Sequence, residues 1–407
     1  MSIEVQQIGV GRRLNISAPD NWRTVRLADV ADMRLGKMLD AQKNRGNLHP
    51  YLRNPNVRWF QLDLADLKEM RFEIEEEEKF SIRDGDVIIC EGGEAGRAAV
   101  WSGPDIGVKF QKAIHRVRPG PALFNRFLVH QLFYDYHSGV LSDYYTGATI
   151  SHLTGQDLAR YEIALPPLDE QRRIVAILDQ VDDLRRKRRE ALDQLQQLKS
   201  ISFKTMFLDP QATEFPWGRI QDLTSSTQYG TSVKAGDRGE FPILRMGNLT
   251  YEGEIDTTGL KYLDLPTSDV DKYTVAPGDI LFNRTNSPDL VGKTAIFRER
   301  EVYAFAGYLV RLRVNDRADP EFVSGYLNSK RGKAVLRGMC KAIIGMANIN
   351  AQELRRIPIP IPPLNLQRTF AARVAEIDKL KTQHRAHLAK LDALFASLQH
   401  RAFRGEL

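Results

Sequence analysis

Residues Ala164–Arg172 read ALPPLDEQR and Ile359–Arg368 read IPIPPLNLQR, which places Pro166-Pro167-Leu168 and Pro362-Pro363-Leu364 about 196 residues apart in a chain of 407. In each copy an apolar stretch (YEIALP, RIPIPIP) runs into the prolines. Proline holds its predecessor extended and cannot continue a strand, so that stretch ends there. Asp169 and Asn365 then offer a side-chain oxygen to the free N–H groups of a first helical turn. Beyond them the apolar spacing changes to helix period. Ile177, Val181, Leu184, Ala191, Leu195 and Leu198 follow in alternating steps of four and three, with Arg188 interrupting. The second copy has Ile377, Leu380, His387, Leu391, Leu394 and Leu398, with His384 at the Arg188 position. Ile174, Leu178 and Leu192, and Phe370, Val374, Leu388 and Phe395, widen each stripe. Each helix should span about 35–40 residues, or roughly 55–60 Å. One small domain cannot hide a stripe that long. The economical solution is that the two stripes cover each other as an antiparallel coiled coil, with a globular half at either end about a pseudo-twofold axis. The alternative is that each stripe packs on its own globular half.

The repeat extends upstream. Gln156-Asp157-Leu158-Ala159-Arg160 matches Gln352-Glu353-Leu354-Arg355-Arg356 at the same offset. Asp84-Gly85-Asp86-Val87-Ile88 pairs with Ala276-Pro277-Gly278-Asp279-Ile280, and the Trp22 region with Trp217, at slightly different offsets. The helix start is thus held in register while the globular parts have drifted, and a period this long means tandem domains. We expect an N-terminal segment 1–19, a globular domain 20–165, a helical spacer 166–208, a second globular domain 209–361 and a helical spacer 362–407. The globular parts mix short strand-like runs (Asp86–Cys90, Asp279–Phe282, Tyr308–Val314) with helix-like ones (Phe124–Phe133) and show no regular strand–helix alternation, so the fold class is α+β. The stretch Leu208–Trp217 carries the proline and polar marks of a boundary.

Composition narrows the function classes. No apolar run approaches the roughly 18–20 residues of a membrane span, and the N-terminus lacks an apolar signal region, so a cytoplasmic protein is expected. Cys90 and Cys340 stand in unrelated contexts with no metal-ligand spacing. A net charge of +6 fits a polyanionic partner, but the acidic run Glu75–Glu78 means that any such face is local.

Glycine beside polar and basic residues marks the candidate contact loops. The first copy has CEGGEAGRAAVW (Cys90–Trp101), the second LFNRTNSPDLVGKTAIF (Leu281–Phe297). Glycine lets backbone approach a groove, and Arg, Lys, Asn and Thr supply hydrogen bonds to base edges or phosphates. The candidates are Arg97, Lys109, Gln111 and Lys112 in the first copy. In the second they are Gln228, Tyr229, Thr231, Arg245, Asn248, Arg284, Thr285, Asn286 and Lys293. For any one of these, the competing reading is an exposed loop charge or a turn former.

The doubled layout, LPPLDEQR and IPPLNLQR before the two helices, and the terminal AFRGEL (Ala402–Leu407) resemble type I restriction–modification specificity subunits, over essentially the whole chain. EGGEAGR and NRTNSPDLVGKT also resemble loops of that family's target recognition domains. The resemblance implies two domains of mixed structure that each read one part of a split double-stranded DNA target. It also implies that the helices space the domains and dock two adenine-N6 methyltransferase subunits, two restriction subunits joining for cleavage. The residues it marks for helix start and docking are Pro166, Pro167, Gln171 and Arg172, and Pro362, Pro363, Gln367 and Arg368. It implies no cofactor on this chain; S-adenosylmethionine, and ATP with Mg2+, belong to the partners. Leu366 stands where the first copy has Glu170, so the two docking surfaces need not be equivalent.

Other signals carry less. VGKT (Val291–Thr294) looks like the tail of a phosphate loop, but the required first glycine falls at Ser287 and the segment runs on toward a strand. Asn54-Pro55-Asn56 is not the Asn/Asp-Pro-Pro-aromatic motif of amino-methyltransferases. His384 and His387 read as seam residues, and Arg185–Arg189 as a solvated face or a partner or phosphate contact. No catalytic triad, carboxylate pair or metal cluster emerges, so a non-catalytic recognition subunit is expected. The alternatives are a single-chain DNA methyltransferase or nuclease with fused recognition domains, and a coiled-coil scaffold with no nucleic-acid role.

Overall fold

The computed structural model describes residues 22–40, 42–147, 151–209, 214–286, 292–339 and 347–407. They form two compact units. The first holds the described residues up to Lys187 together with Leu388–Leu407, the second Arg188–His387. Two long helices, a central one (Leu168–Phe207) and a C-terminal one (Leu364–Ala402), each contribute to both units. The units therefore cross the linear boundaries set out above.

Each unit repeats one frame. In the first, β1 (Ala31–Leu35), β2 (Val87–Cys90), β3 (Ala98–Val100) and β4 (Ile114–Pro119) form an antiparallel sheet in the order β1-β4-β2-β3. In the second, β5 (Thr224–Tyr229), β6 (Ile280–Asn283), β7 (Thr294–Ile296) and β8 (Leu309–Val314) form the order β5-β8-β6-β7. The central strands VIIC and ILFN are buried along their whole length, which explains the unbroken apolar reading of VIIC and of ILF, with the polar Asn283 buried at the end of the second. A second sheet stands beside each, three-stranded on Asn47–Leu52 and four-stranded on Phe241–Leu244. The Gly-Asp match of the two copies has a physical origin. Asp86 accepts both Nε and Nη2 of Arg118 at 2.8 Å; Asp279 accepts the same pair from Arg313 at 2.7 and 3.0 Å. Each carboxylate also accepts a backbone N–H three residues earlier, from Arg83 or Ala276. One buried carboxylate thus closes a turn and ties two strands.

The helix starts are clamped identically. Gln171 and Gln367 are wholly buried. The Gln171 amide donates to the carbonyls of Ala122 (2.9 Å) and Pro166 (2.8 Å) and accepts from Phe124 N–H (2.7 Å). Gln367 donates to Arg317 (3.1 Å) and Pro362 (2.9 Å) and accepts from Asp319 N–H (2.9 Å). These loops lead into α1 (Asn125–His137) and α2 (Pro320–Asn328). The docking role expected of the two glutamines is corrected by this burial, because no partner can reach them. Pro166 and Pro362 are buried too, whereas Pro167, Arg172, Pro363 and Arg368 stay exposed.

Within each unit the helical segments run antiparallel. In the first, Arg173 donates to Leu407 O (2.7 Å) and Arg185 to Asp392 (2.7 Å). In the second, Lys199 lies 4.0 Å from Asp378, and Lys381 donates to Gln196 (2.7 Å). The seam keeps Val181 and Ile377, which are buried, but differs from the expected positions elsewhere. Leu184 and Leu394 in the first unit, and Leu198 and Leu380 in the second, are 43–47% exposed. The flanking Ile174, Leu178, Phe370, Val374 and Phe395 are buried instead. The apolar stripe is wide enough to serve two partners, the other helix and the unit's own globular core, so both packing readings hold. His387 is exposed and lies outside the seam, while His384 meets Arg188 at 3.4 Å. The Arg185–Arg189 run is largely neutralised locally, through Asp182, Asp183 and Asp392.

On α1, Arg126 binds Asp179 of the central helix through Nε (2.6 Å) and Nη2 (2.7 Å), and His130 Nε2 lies 2.8 Å from the same carboxylate. A carboxylate only accepts, so Nε2 carries the proton. Burial holds His130 below its ordinary pKa against the pull of Asp179. Burial also opposes ionisation of Asp179, but the bonds from His130 and Arg126 outweigh it and hold the carboxyl low.

Replacing either clamp glutamine by alanine leaves buried backbone groups without partners, and urea unfolding should show a loss of about 2–3 kcal/mol. The His130 pKa is lower in the folded than in the unfolded chain. The unfolded state therefore gains protons first as pH drops below about 6.5, and stability falls with it. Urea midpoints compared at pH 7 and pH 5 should show a smaller acid loss for His130→Leu than for the natural chain; equal losses would refute the assignment.

Candidate nucleic-acid interface

The glycine-rich loops occupy one place in the frame, after β2 and after β6. Each is stitched to the segment that leads into a short helix. Leu153 N–H donates to Glu91 O (2.7 Å) and Gly92 bridges His152, ahead of helix Gly155–Arg160. Ile349 N–H donates to Arg284 O (2.9 Å) and Thr285 pairs with Asn348, ahead of helix Ala351–Arg355. Thr154 and Asn350 cap those helices.

A second shared feature is a crossing that only glycine permits. Gly36 N–H donates to Ile114 O and Gly230 N–H to Leu309 O, while the next residues, Lys37 and Thr231, bridge Gln111 and Ala306 in parallel. A Cβ on Gly36 would stand 2.2 Å from the Gln111 carbonyl oxygen, and one on Gly230 2.3 Å from that of Ala306. The crossing fixes Gln111 and Lys112 in one unit and Tyr229 and Thr231 in the other.

The candidates divide sharply by environment. Lys109 is buried, and its ammonium donates to Glu77 O (2.7 Å). Arg97 is mostly buried, paired with Glu94 and donating to Asn54 O (2.9 Å). Asn248 is buried, accepting from Arg245 N–H and donating to Asp256 O, both at 2.9 Å. The Thr231 hydroxyl accepts from Val233 N–H (3.1 Å) and is also buried. These four expectations are corrected: the side chains are wholly or largely buried and held by internal partners, which brace the frame. Cys90, beneath the first loop, is equally closed, its thiol pushed by burial to about 11.

The rest remain accessible. Lys112 is exposed and Gln111 half-buried. Gln228 donates to Tyr229 O (2.9 Å). Tyr229 is partly exposed, its hydroxyl accepting from Ala351 N–H (2.9 Å) and its ring lying 4.9 Å under the Arg284 guanidinium. Arg245 donates to Gly259 O (3.1 Å). Thr285 and Lys293 are half-buried. The Asn286 side chain and residues 287–291 lie outside the described residues. The accessible candidates therefore concentrate in the second unit around Tyr229 and Arg284. The VGKT lysine precedes β7 and not a helix, which removes the phosphate-loop reading. No group of potential metal ligands forms among the described residues.

Sequence reading missed two features. Arg53 and Asn56 repeat the Arg245–Asn248 brace: Asn56 accepts from Arg53 N–H (2.9 Å) and donates to Asp63 O (3.0 Å). The pattern Arg-x-x-Asn occurs in both copies, but at a shifted offset. The other is α3 (Lys330–Met339), which carries Lys330, Arg331, Lys333 and Arg337 without an acidic residue.

Comparisons with known proteins agree with this frame. The type I restriction modification DNA specificity domain matches residues 19–195 and again 219–391, each match running from a globular part into the long helix behind it. The chain belongs to this family, as a specificity subunit with two recognition domains. It is 23% identical over 383 residues to the type I restriction enzyme EcoKI specificity subunit of Escherichia coli K12, covering 88% of this chain and 82% of that protein. To the StySPI specificity subunit of Salmonella potsdam it is 22% identical, covering 96% and 90%. The crystal structure of a type I restriction–modification S subunit from M. genitalium superposes with a TM-score of 0.57 at 16% identity, over 97% of this chain and 98% of that one, so the fold is shared.

Gly36→Ala and Gly230→Ala should each cost about 1–3 kcal/mol through overpacking against a carbonyl that cannot retreat. Thermal unfolding checks this, and a variant as stable as the natural chain would mean that the crossing is looser than described.

Proposed function

We propose that this chain reads an asymmetric, bipartite double-stranded DNA target, each unit reading one part, and serves as the non-catalytic recognition subunit of a cytoplasmic restriction–modification complex. One observation carries the reading: the specificity domain occurs twice in one chain, on one frame with different loop contents. The loop from Cys90 to Arg97 folds onto internal partners, whereas that of the second unit brings Arg284 over Tyr229 beside Thr285 and Lys293. Two different readers imply two different half-targets. Arg245, Arg284, Lys293, Gln228, Tyr229, Thr285 and Asn286 are the contact set in the second unit, and Gln111 and Lys112 that in the first.

Chemistry then belongs to partners. Two adenine-N6 methyltransferase subunits bring S-adenosylmethionine, and two restriction subunits bring ATP and Mg2+. The exposed leucines support docking on the helices, Leu184 and Leu394 in the first unit and Leu198 and Leu380 in the second, with Arg172 and Arg368 at the helix starts. Uncovered apolar side chains on a helix gain by burial against a partner, about 25 cal/mol per Å2. No helix among the described residues is long and apolar enough to cross a membrane, which accords with the proposed site of action.

Methylation mapping of a host carrying the complex should give a bipartite motif with unlike halves. Exchanging residues 20–165 for the first globular part of another specificity subunit should change one half and leave the other. A motif unchanged, or changed in both halves, would sink this reading, as would methyl transfer by the purified chain alone.

A further inference from the structure

Several clusters of positive charge in this chain are met by carboxylates close at hand. The run Arg185–Arg189 has Asp182, Asp183 and Asp392 around it; Lys381 and Arg385 share Glu254. Helix α3 differs from these clusters. Lys330, Arg331, Lys333 and Arg337 fall within ten residues, with no acidic residue in the helix, and none of the four has a carboxylate partner among the described residues. Lys330, Lys333 and Arg337 stand at i, i+3 and i+7 and so share a face. Lys330 and Arg337 are exposed at its two ends. Arg331 points elsewhere, its guanidinium 4.5 Å over the Trp217 ring.

The same face is joined to the candidate contact loop. Lys333 is buried and donates to Gly292 O (2.8 Å), with its ammonium 5.1 Å over the Tyr251 ring. Gly292 sits so close to α3 that a Cβ there would come within 2.7 Å of Leu336 Cδ1. Burial, then the neighbouring cations Lys293 and Arg337, pull Lys333 down to about 8. Lys293 and Arg337 thus act on Lys333 at the edge of a recognition loop, and none of the three has a carboxylate partner among the described residues. Such a cluster is costly in isolation and becomes favourable when an anion of fixed spacing arrives. In the first unit the segment after α1 is the short turn Val140–Tyr144, which holds Asp143 and no lysine or arginine.

We propose that Lys330 and Arg337 of α3, with Lys293 of the adjoining loop, seat backbone phosphates of the DNA beside the half-target read by the second unit, a grip with no equivalent among the described residues of the first unit. The inference rests on the DNA-reading function proposed above. Phosphate contacts set register and supply affinity but carry no sequence information. They also release condensed counterions, so each contact adds about 0.9 to the slope of log affinity against log salt on duplex DNA.

The test uses the chain assembled with its methyltransferase subunits, titrated at several salt concentrations against a duplex bearing the methylated motif and a duplex lacking it. The double variant Lys330→Gln/Arg337→Gln should lower the salt slope by about 1–2 on both duplexes. The charge-keeping variant Lys330→Arg/Arg337→Lys should retain the slope, which separates charge from folding. An unchanged slope in the neutral variant overturns the phosphate seat, as does equal loss in the charge-keeping one. A slope that stays while assembly with the methyltransferase weakens overturns it in favour of a protein-docking face. If the natural complex itself binds DNA without salt dependence, the DNA-reading function fails first and the seat with it.

Discussion

Each unit depends on a buried glutamine amide. The two prolines that stop the strand also leave a carbonyl without a helical donor. Glu170 and Gln171 both send their N–H groups to Pro167 O, and Leu366 and Gln367 do the same with Pro363 O. The carbonyls of Pro166 and Pro362 are thereby left over, in a place that water does not reach. The Gln171 and Gln367 side chains take them, and their remaining donor and acceptor hold the loop that leads into α1 or α2. A helix of about forty residues amplifies any error in its starting angle, so three bonds on a planar amide matter more here than their individual strength of about 1 kcal/mol suggests. Glutamate would lack the two donors, and a shorter amide would not reach both carbonyls.

The helical segments show how two copies of one design diverge without losing register. Arg185 and Lys381 are 196 residues apart, as are Gln196 and Asp392, so the pairs Arg185–Asp392 and Lys381–Gln196 are one contact seen in each unit. In the first unit the partner is anionic and the guanidinium also lies 4.3 Å over Phe395. In the second the partner is neutral, and the buried ammonium needs charge from elsewhere. Glu254 of the globular part supplies it and binds Arg385 as well. A buried polar contact in a helical pair fixes register at some cost in stability. Here the two units meet that cost differently, one within the helices and the other by tying the helices to the globular part.

What the sequence shows follows from how local each cause is. The Pro-Pro-Leu onset, the caps and the helix period are short-range, and the helices run where the spacing puts them. The α+β frame was legible through VIIC and ILF, whose burial on both faces leaves an unbroken apolar run. Which apolar residues form the seam was not, because a stripe serving two partners contains two overlapping patterns. Polar residues near glycine misled for a similar reason. Asn248, Lys109 and Arg97 have the chemistry of groove contacts, yet their partners are backbone carbonyls or side chains that only the tertiary fold brings near. The Asn56–Asn248 equivalence was hidden by drift of the offset from 196 to 192, and α3 by the absence of a counterpart among the described residues of the first copy.

The frame bonds explain why the readers can differ while the scaffold does not. Loops in both units are stitched by backbone groups: Leu153 to Glu91, Ile349 to Arg284, and the two glycine crossings. Such bonds are indifferent to side-chain identity. Side chains hold the frame as well: Asp86 with Arg118, Asp279 with Arg313, Lys109, Arg97, Thr231, Asn56, Asn248 and the two glutamines. The half-buried positions 284, 285 and 293 can therefore change without altering the backbone bonds beneath, whereas Ala95 and Arg97 of the first loop are themselves part of the packing. That separation is the physical condition for a recognition surface to change its target while the angle of each long helix, set far from the loops by a single amide, stays where it was.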